Sequence, residues 1–282
     1  MKVNFKYIPS FNNNTSFSLN KSIFFMHIPK CGGTTLDHIF AKLSSILKNF
    51  KFERYTYKSE TNKKFFYKAT PNHAPSYITG HLDFNFTKNI ENIFRCTIIR
   101  EPTKRILSHY KFEVHMRNKT PKEYSFESFI NDQINLNRDN LMTRHFAGLL
   151  NEKGPILYNH IETAKNNISL FDSIDIINNW DKFASNILTK FKMPSIIYSK
   201  YQKHEYKFSY DFSSDDLNLI SKYFQCDIEI YNYIKQNNNG TNKDKNSIHN
   251  DKICIVSPYF EKNNKFYNED EIRELINSKK TK

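Results

Sequence analysis

One short segment of the chain concentrates residue types that bind phosphate groups. Residues 27–36 read HIPKCGGTTL, and the candidate ligands among them are consecutive: Lys30, Cys31, Gly32, Gly33, Thr34 and Thr35. In a glycine-rich turn ahead of a helix, backbone N–H groups can surround a phosphate, while hydroxyl groups and an ammonium add further contacts. The order is not the GxxxxGK[ST] of an ATP-binding P-loop, because the lysine precedes the glycines. The segment therefore indicates a phosphate site of another kind.

A second segment, residues 98–110, reads IIREPTKRILSHY and places Arg100 at the end of a predicted strand. A guanidinium can bind a phosphate through two hydrogen bonds, and Ser108, two turns along the next helix, can reach another oxygen of the same group. The segment is therefore a second candidate phosphate site.

Together, the two segments resemble the 5′-phosphosulfate and 3′-phosphate motifs of carbohydrate sulfotransferases that use 3′-phosphoadenylyl sulfate (PAPS). The resemblance is to the heparan sulfate 2-O- and 6-O-sulfotransferase branch and its bacterial relatives. In that family an arginine at a strand end and a serine eight residues on bind the 3′-phosphate, and Arg100 and Ser108 match this arrangement. The resemblance implies that PAPS is held at both ends and gives its sulfuryl group to a carbohydrate hydroxyl.

The resemblance also implies the catalytic residues. Sulfuryl transfer requires a base, because the acceptor hydroxyl loses its proton as it attacks sulfur. The family has a histidine in a Gly-His-like position between its two phosphate motifs, and His81, after Gly80, matches it. Lys30 would neutralise the 5′-phosphate and stabilise the bridging oxygen as the S–O bond breaks. The rival bases are His73, in the preceding loop, His27, inside the strand, and His109, next to Ser108; the last two are not well placed to meet an acceptor.

Residues that contact the acceptor are less constrained by the sequence. Residues 140–150, NLMTRHFAGLL, resemble a helix that follows the 3′-phosphate motif in the same family, so Arg144 or His145 could face the acceptor. The alternative is an amphipathic helix with its leucines and Phe146 turned inward and its polar residues in solvent. His73 is a further candidate for acceptor contact.

These candidate residues require a sheet to position them. Mostly apolar runs of strand length occur at residues 22–28, 76–80 and 94–99, and residues 173–177 are a further candidate strand. Such runs are typical of parallel strands covered on both faces, and ligands of parallel sheets bind at the carboxyl ends of the strands. The pattern predicts an α/β, P-loop-like three-layer fold, with a central parallel sheet flanked by helices and a helix-rich second half.

The rest of the sequence suggests a division of the chain. Residues 1–20 are polar and predict an N-terminal lead-in, and residues 21–235 contain the predicted sulfotransferase domain. Residues 236–250, rich in Asn and Lys, predict a flexible linker, and residues 251–282 a C-terminal extension. Within the domain, the basic and aromatic stretch at 48–68 has no clear period and is interpreted as an excursion from the core.

The composition limits the partners and cofactors. Lys and Arg exceed Asp and Glu by 42 to 29, and this net charge of +13 favours an acidic or already sulfated glycan as acceptor. No stretch approaches the ~20 apolar residues of a membrane span, which predicts a cytoplasmic protein, peripheral at a membrane if its acceptor is lipid-linked. The four cysteines form no CxxC pair and no ligand cluster is apparent, which predicts metal-independent transfer.

Two other classes of function compete with transfer from PAPS. A P-loop kinase would use ATP and magnesium and would need an acidic metal ligand at a strand end. A basic nucleic-acid-binding protein without catalysis would show steep salt dependence and no response to adenosine 3′,5′-bisphosphate (PAP). The ordered pair of phosphate motifs disfavours both and predicts no nucleic-acid partner. No pattern in the sequence indicates an oligomeric state.

Overall fold

The structure, a computed structural model, describes residues 5–8, 21–47, 50–55, 76–199, 206, 208–238, 253–256 and 266–267. Its strands are β1 (Phe5–Ile8), β2 (Ser22–Met26), β3 (Lys51–Tyr55), β4 (Ser76–Gly80), β5 (Ile93–Ile99), β6 (Ser173–Ile176), β7 (Ser195–Ser199), β8 (Ile253–Val256) and β9 (Phe266–Tyr267). Its helices are α1 (Gly33–Ile46), α2 (Pro102–Met116), α3 (Phe126–Asn135), α4 (Leu141–Ala147), α5 (Tyr158–Ile168), α6 (Trp180–Lys190), α7 (Ser214–Tyr223) and α8 (Gln225–Asn238). Short 3₁₀ turns span Phe84–Phe86 and Ile177–Asn179.

A five-stranded sheet in the order β3-β4-β2-β5-β6 forms the centre, and each neighbouring pair is parallel. The strands β2, β4 and β5 are almost wholly buried, as expected of apolar runs covered on both faces. The predicted central parallel sheet flanked by helices is confirmed. Because β2 lies between β4 and β5, with Met26 level with Gly80, the carboxyl ends of three strands meet at one edge.

The helices that follow β2 and β5 are each stabilised by a feature of their own sequence: an apolar stripe on α1 and a side-chain cap on α2. α1 buries one apolar stripe against the sheet, formed by Leu36, Ile39, Phe40 and Leu43. At the start of α2, the carboxylate of Glu101 accepts hydrogen bonds from the first N–H groups of the helix. Among the helices of the described ranges, none has both the length and the apolar character needed to cross a membrane.

Strands also occur in segments for which the sequence predicted none. The stretch at 48–68 contains the edge strand β3, so it is not wholly an excursion from the core. A second sheet, in the order β1-β7-β8-β9, joins the N-terminal lead-in to the C-terminal extension. In addition, α8 runs to Asn238, into the segment predicted as a linker. These strands pair with partners distant in sequence, so local periodicity carried little signal for them.

Candidate active site

Three strand ends bring predicted site residues together. β2 ends before His27, β4 before His81 and β5 before Arg100. The backbone N–H of His27 donates to the carbonyl oxygen of Gly80 at 3.1 Å, which fixes the chain after β2 against the chain after β4. On the other side, Nη1 of Arg100 donates to the carbonyl oxygen of Lys30 at 3.3 Å. The loop after β2 is therefore bonded to both neighbouring strand ends.

This loop leads directly into the N-terminus of α1, whose N-cap residue has no side chain that could cap the helix. Lys30 has a φ of 68° and Gly32 a φ of 86°, the left-handed region that favours glycine. Gly32 occupies the N-cap position of α1 and makes no side-chain hydrogen bond to the helix. The N–H groups of Gly33, Thr34 and Thr35 have no acceptor within α1, because the first N–H groups of a helix precede any intrahelical partner. Such groups can bind an anion.

Close packing fixes the middle of the loop. The N–H of Cys31 donates to the carbonyl oxygen of Ile28 at 3.4 Å, so the turn uses the amide that the sequence assigned to a phosphate. The Cys31 side chain is buried, which raises the pKa of its thiol to about 12. A Cβ on Gly33 would lie 2.6 Å from the His27 ring, a separation that no side chain tolerates. Glycine is therefore required at this position for steric reasons.

Two half-buried cations, Lys30 and Arg100, lie at this edge of the sheet. Nζ of Lys30 is 4.3 Å from the centroid of the Phe112 ring. Burial, and then the charge of Arg100, lower the pKa of Lys30 to about 8, while Glu113 opposes the change. Within the described residues neither cation forms an ion pair. Ser108 is half-buried on α2, the helix that begins two residues after Arg100.

His81 follows the last residue of β4 and is exposed at the same edge. Its ring contacts that of His27 edge to face, with 5.3 Å between centroids and 88° between planes. Although the residue as a whole is exposed, the protein around its ring shields the ring from water and so disfavours the charged form. The positive charges of His27 and Arg54 add to this effect. The pKa of His81 is lowered to about 4. His81 is therefore neutral near pH 7 and has a lone pair that can take a proton.

Arg144 is buried and its guanidinium is occupied by the protein. Nη2 donates to the Asp139 carboxylate at 2.7 Å and to the carbonyl oxygen of Gly154 at 2.7 Å, and Nη1 donates to that of Glu152 at 3.2 Å. Every residue of α4 is buried. Neither sequence expectation for this helix describes the structure, because Arg144 is turned neither to an open acceptor site nor to solvent.

His145 is also buried on α4. Its Nδ1 lies 2.7 Å from the carbonyl oxygen of Leu141, so Nδ1 carries the proton and Nε2 presents a lone pair. Nε2 is buried without a hydrogen-bond partner among the described residues. Burial lowers the pKa of His145 to about 3. His73, the alternative base and acceptor contact, lies outside the described residues.

The sequence reading missed a buried hydrogen-bond network beneath the loop. The Asp37 carboxylate accepts from Nδ1 of His27 at 2.9 Å, from the Tyr77 hydroxyl at 3.1 Å and from the Thr79 hydroxyl at 2.9 Å. An acidic residue on the apolar face of a predicted helix was the available signal. The indole N–H of Trp180 donates to the carbonyl oxygen of Gly32 at 3.2 Å and so holds the loop.

The site can therefore bind anions and accept a proton. The uncapped start of α1, Lys30 and Arg100 form a positively charged edge with no compensating ion pair in the described ranges. These groups suit a ligand with two anionic ends, as the two phosphate motifs predict. His81 supplies a neutral imidazole at the same edge. In the part of the chain that the structure describes, no group of three or more His, Cys, Asp or Glu side chains could hold a metal ion.

Comparison with known proteins adds independent findings. A family model described as "Sulfotransferase family" matches residues 14–234. Among solved structures, the chain is similar to a sulfotransferase from Alicyclobacillus acidocaldarius, with a TM-score of 0.40 and 10% identity over 78% of this chain and 97% of that one. It is also similar to mouse sulfotransferase SULT7A1 complexed with PAP, with a TM-score of 0.35 and 11% identity over 92% of this chain and 82% of that one. A comparison with curated proteins finds no match.

Proposed function

Because this chain belongs to the sulfotransferase family, we propose that it transfers a sulfuryl group from PAPS to a hydroxyl group of a carbohydrate. The observation that carries the proposal is the meeting of three strand ends, where Lys30, Arg100 and His81 lie at one edge of the parallel sheet. Parallel sheets bind their ligands at this edge. Two cations without ion-pair partners in the described ranges suit a donor with anionic groups at both ends.

The residues divide between the two ends of the donor. The 5′ end would be held by Lys30 and by the loop and first helical turn, namely Gly32, Gly33, Thr34 and Thr35. The 3′-phosphate would be held by Arg100 and Ser108, through a two-pronged guanidinium contact and a hydroxyl. Cys31 would help to fix the conformation of the turn and would not donate a hydrogen bond to PAPS, because its N–H is used within the turn. PAPS supplies the sulfuryl group, and PAP, which keeps the 5′-phosphate, is the leaving product.

In the proposed reaction His81 is the general base. Its lone pair takes the proton of the acceptor hydroxyl as that oxygen forms a bond to sulfur. The bond between sulfur and the bridging oxygen breaks at the same time, and its electron pair stays on the 5′-phosphate. The Lys30 ammonium stabilises the charge that accumulates there. Positioning and charge stabilisation do most of the work, as in phosphoryl transfer.

We propose an acidic glycan as the acceptor. The net charge of +13 attracts polyanions, and the charges of Arg54 and Arg138 act directly on His81. An acceptor with carboxylate or sulfate groups would be drawn to this surface, whereas a neutral sugar would gain no such attraction. The hydroxyl position that receives the sulfuryl group is left to the experiment.

The test combines binding and transfer. Thermal unfolding is measured with PAP, AMP and ATP with magnesium, followed by transfer of labelled sulfate from PAPS onto a panel of acidic and neutral glycans. We expect PAP to raise the Tm more than AMP or ATP does, and labelled sulfate to appear on an acidic glycan. Stabilisation by ATP with no response to PAP would favour a kinase instead, and transfer restricted to neutral acceptors would overturn the acceptor class.

A substitution tests the base. We expect His81→Ala to leave the affinity for PAP near that of the wild type and to reduce transfer by roughly 10²-fold, the scale of a lost general base. His73→Ala is the comparison variant, because His73 is the alternative base, and we expect it to reduce transfer far less than His81→Ala does. If His73→Ala produced the large loss and His81→Ala did not, the two roles would be exchanged.

A further inference from the structure

Asp37 places a charge on the apolar stripe of α1, between residues that enter the core. It is 2% exposed. Burying a carboxylate costs several kcal/mol unless donors surround it, and an apolar residue at this position would add to the core without that cost. The position therefore points to a use for the negative charge.

The donors around Asp37 come from the strands that end at the site. Thr79 and Tyr77 belong to β4, and His27 follows β2. Because a carboxylate only accepts hydrogen bonds, Nδ1 of His27 carries a proton, and the opposite edge of the ring packs against Gly33. The His27 ring cannot turn without breaking one of these contacts. Asp37 thus fixes both the orientation and the tautomer of His27.

His27 connects this network to His81. The two rings are in edge-to-face contact, and the backbone N–H of His27 is bonded to the carbonyl oxygen of Gly80, the residue before His81. Gly80 has a φ of 155°, and a Cβ there would lie 2.3 Å from the carbonyl oxygen of Tyr55, so the chain entering His81 is tightly constrained. His81 is therefore held by its backbone and by a neighbouring ring that a buried carboxylate orients.

We propose that Asp37 is a positioning residue for sulfuryl transfer, which acts through His27 to hold His81 and to stabilise the positive charge that His81 acquires with the acceptor proton. This inference rests on the proposed function, in which His81 is the base. No bond to Asp37 or His27 forms or breaks; the proton moves from the acceptor hydroxyl to His81 alone. The role differs from packing, because it depends on the charge of Asp37.

The charges around His81 show why a carboxylate would matter there. The ionisable groups that shift its pKa from the neighbouring elements are His27, Arg54, Asp37 and Arg138, and His81 in turn lowers the pKa of His145. Of the first four, Asp37 favours the charged form of His81, whereas the other three disfavour it. Asp83, two residues on, accepts from the N–H groups of Asn85 and Leu150. Asp37 is thus placed to offset the positive surroundings when the imidazolium forms.

The test uses three single variants of the full chain. Asp37→Asn removes the charge and keeps the shape, and His27→Gln removes the intervening ring. Tyr77→Phe is the matched control, since it removes one hydrogen bond to Asp37 but keeps the carboxylate and the ring that stacks on Phe40 at 4.1 Å. Circular dichroism at each pH monitors folding. The titration of the His81 ring is followed by NMR in the ligand-free protein, with its signal assigned by comparison with His81→Ala.

We expect the His81 midpoint, about 4 in the wild type, to move in opposite directions in the two variants. Asp37→Asn should lower it by about 1 pH unit, because a nearby negative charge is lost, and His27→Gln should raise it. Tyr77→Phe should leave it within a few tenths of a unit. An unchanged midpoint in Asp37→Asn would overturn the proposal. If Asp37→Asn does not fold, a midpoint in His27→Gln that fails to rise overturns it instead.

Kinetics separate this inference from the proposed function. With PAPS as donor, Asp37→Asn should reduce kcat by about tenfold or more with little change in the KM for PAPS, and its acid limb should lie at lower pH than that of the wild type. A variant that was merely less stable would not shift the pH profile. If the wild type transfers no sulfate, the proposed function fails, but the titrations still show whether the charge of Asp37 affects the protonation of His81. If the wild type transfers sulfate and Asp37→Asn matches it at every pH, the inference alone fails.

Discussion

Two sets of cations in this chain differ in whether a carboxylate is paired with them. Lys30 and Arg100, at the strand ends, form no ion pair within the described residues. Arg105 on α2 and Arg144 on α4 are each 1% exposed, and each is paired with an aspartate. A cation removed from water is costly unless a carboxylate compensates it. The first set is therefore unpaired within the described residues. The charge of the second set is compensated by the fold, although Nε and Nη1 of Arg105 are buried there without a hydrogen-bond partner.

The paired set shows what a structural cation requires. Asp227 of α8 lies 3.4 Å from Nη2 of Arg105 and also accepts hydrogen bonds from the N–H groups of Met142 and Thr143 at the start of α4. One buried carboxylate thus joins three helices and caps one of them. At the strand ends, none of the described carboxylates forms a comparable arrangement around Lys30. Under the proposed function, the difference separates residues that bind the donor from residues that stabilise the fold, and substitutions in each set test it.

The largest effect is expected at Lys30. Lys30→Ala should reduce transfer by about 10³-fold, because the leaving phosphate loses its stabilising charge. The affinity for PAP should fall only partly, since the helix N-terminus and Arg100 still bind it. Stability should change little, because no ion pair of the described residues is lost. Labelled-sulfate turnover, PAP titration and thermal unfolding measure the three quantities, and preserved turnover would remove Lys30 from the mechanism.

The paired set should respond in stability rather than in turnover. Asp227→Asn should lower the free energy of unfolding by roughly 3 kcal/mol, because Arg105 is left buried without a counter-charge. Glu229→Gln is the control on the same helix, where Glu229 pairs with Lys165 in a more exposed position, and should cost less than about 1 kcal/mol. Urea denaturation measures both variants. Equal losses would show that the buried pair of Arg105 and Asp227 contributes no more to stability than the more exposed pair of Lys165 and Glu229.

Arg100 should affect nucleotide choice. Arg100→Ala should weaken PAP binding by about 10- to 100-fold, the scale of charge-assisted hydrogen bonds, and should weaken AMP binding much less. Lys222→Ala, at an exposed lysine of α7 that is not part of the candidate site, is the control for the loss of one positive charge. Isothermal titration with both nucleotides measures the ratio. A similar loss for PAP and AMP would contradict the placement of Arg100 at the 3′-phosphate.

The sequence predicted the parts of the fold that depend on local signals. The apolar runs of β2, β4 and β5 were predictable because each lies within one short stretch. The second sheet was not, because its strands come from opposite ends of the chain and pair over long distances in sequence. β3 was missed because its residues, KFERY, are mostly polar and lie at a sheet edge.

The same distinction applies to the site. Lys30, Gly32 and Arg100 were predictable because their positions follow from strand ends and turn chemistry. Asp37 was not, because its partners Tyr77 and Thr79 are 40 and 42 residues away in sequence. Helical periodicity was also misleading for α4, since a short helix buried on every side has no solvent face to which its polar residues could turn.

The smallest expected effect is a pH dependence, and it tests whether Lys30 is truly unpaired. The pKa of Lys30 is lowered to about 8, so its ammonium is charged below that pH and loses its proton above it. Because PAP binds the charged form better, its affinity should be highest below pH 8. It should fall above that pH by less than about tenfold in all and level off at the affinity of the form with a neutral Lys30. Lys30→Arg keeps its charge at every accessible pH and should bind PAP with little change between pH 7 and 10. An identical decline in the variant would mean that another group titrates, and the contrast between the two sets of cations would then rest on Arg100 alone.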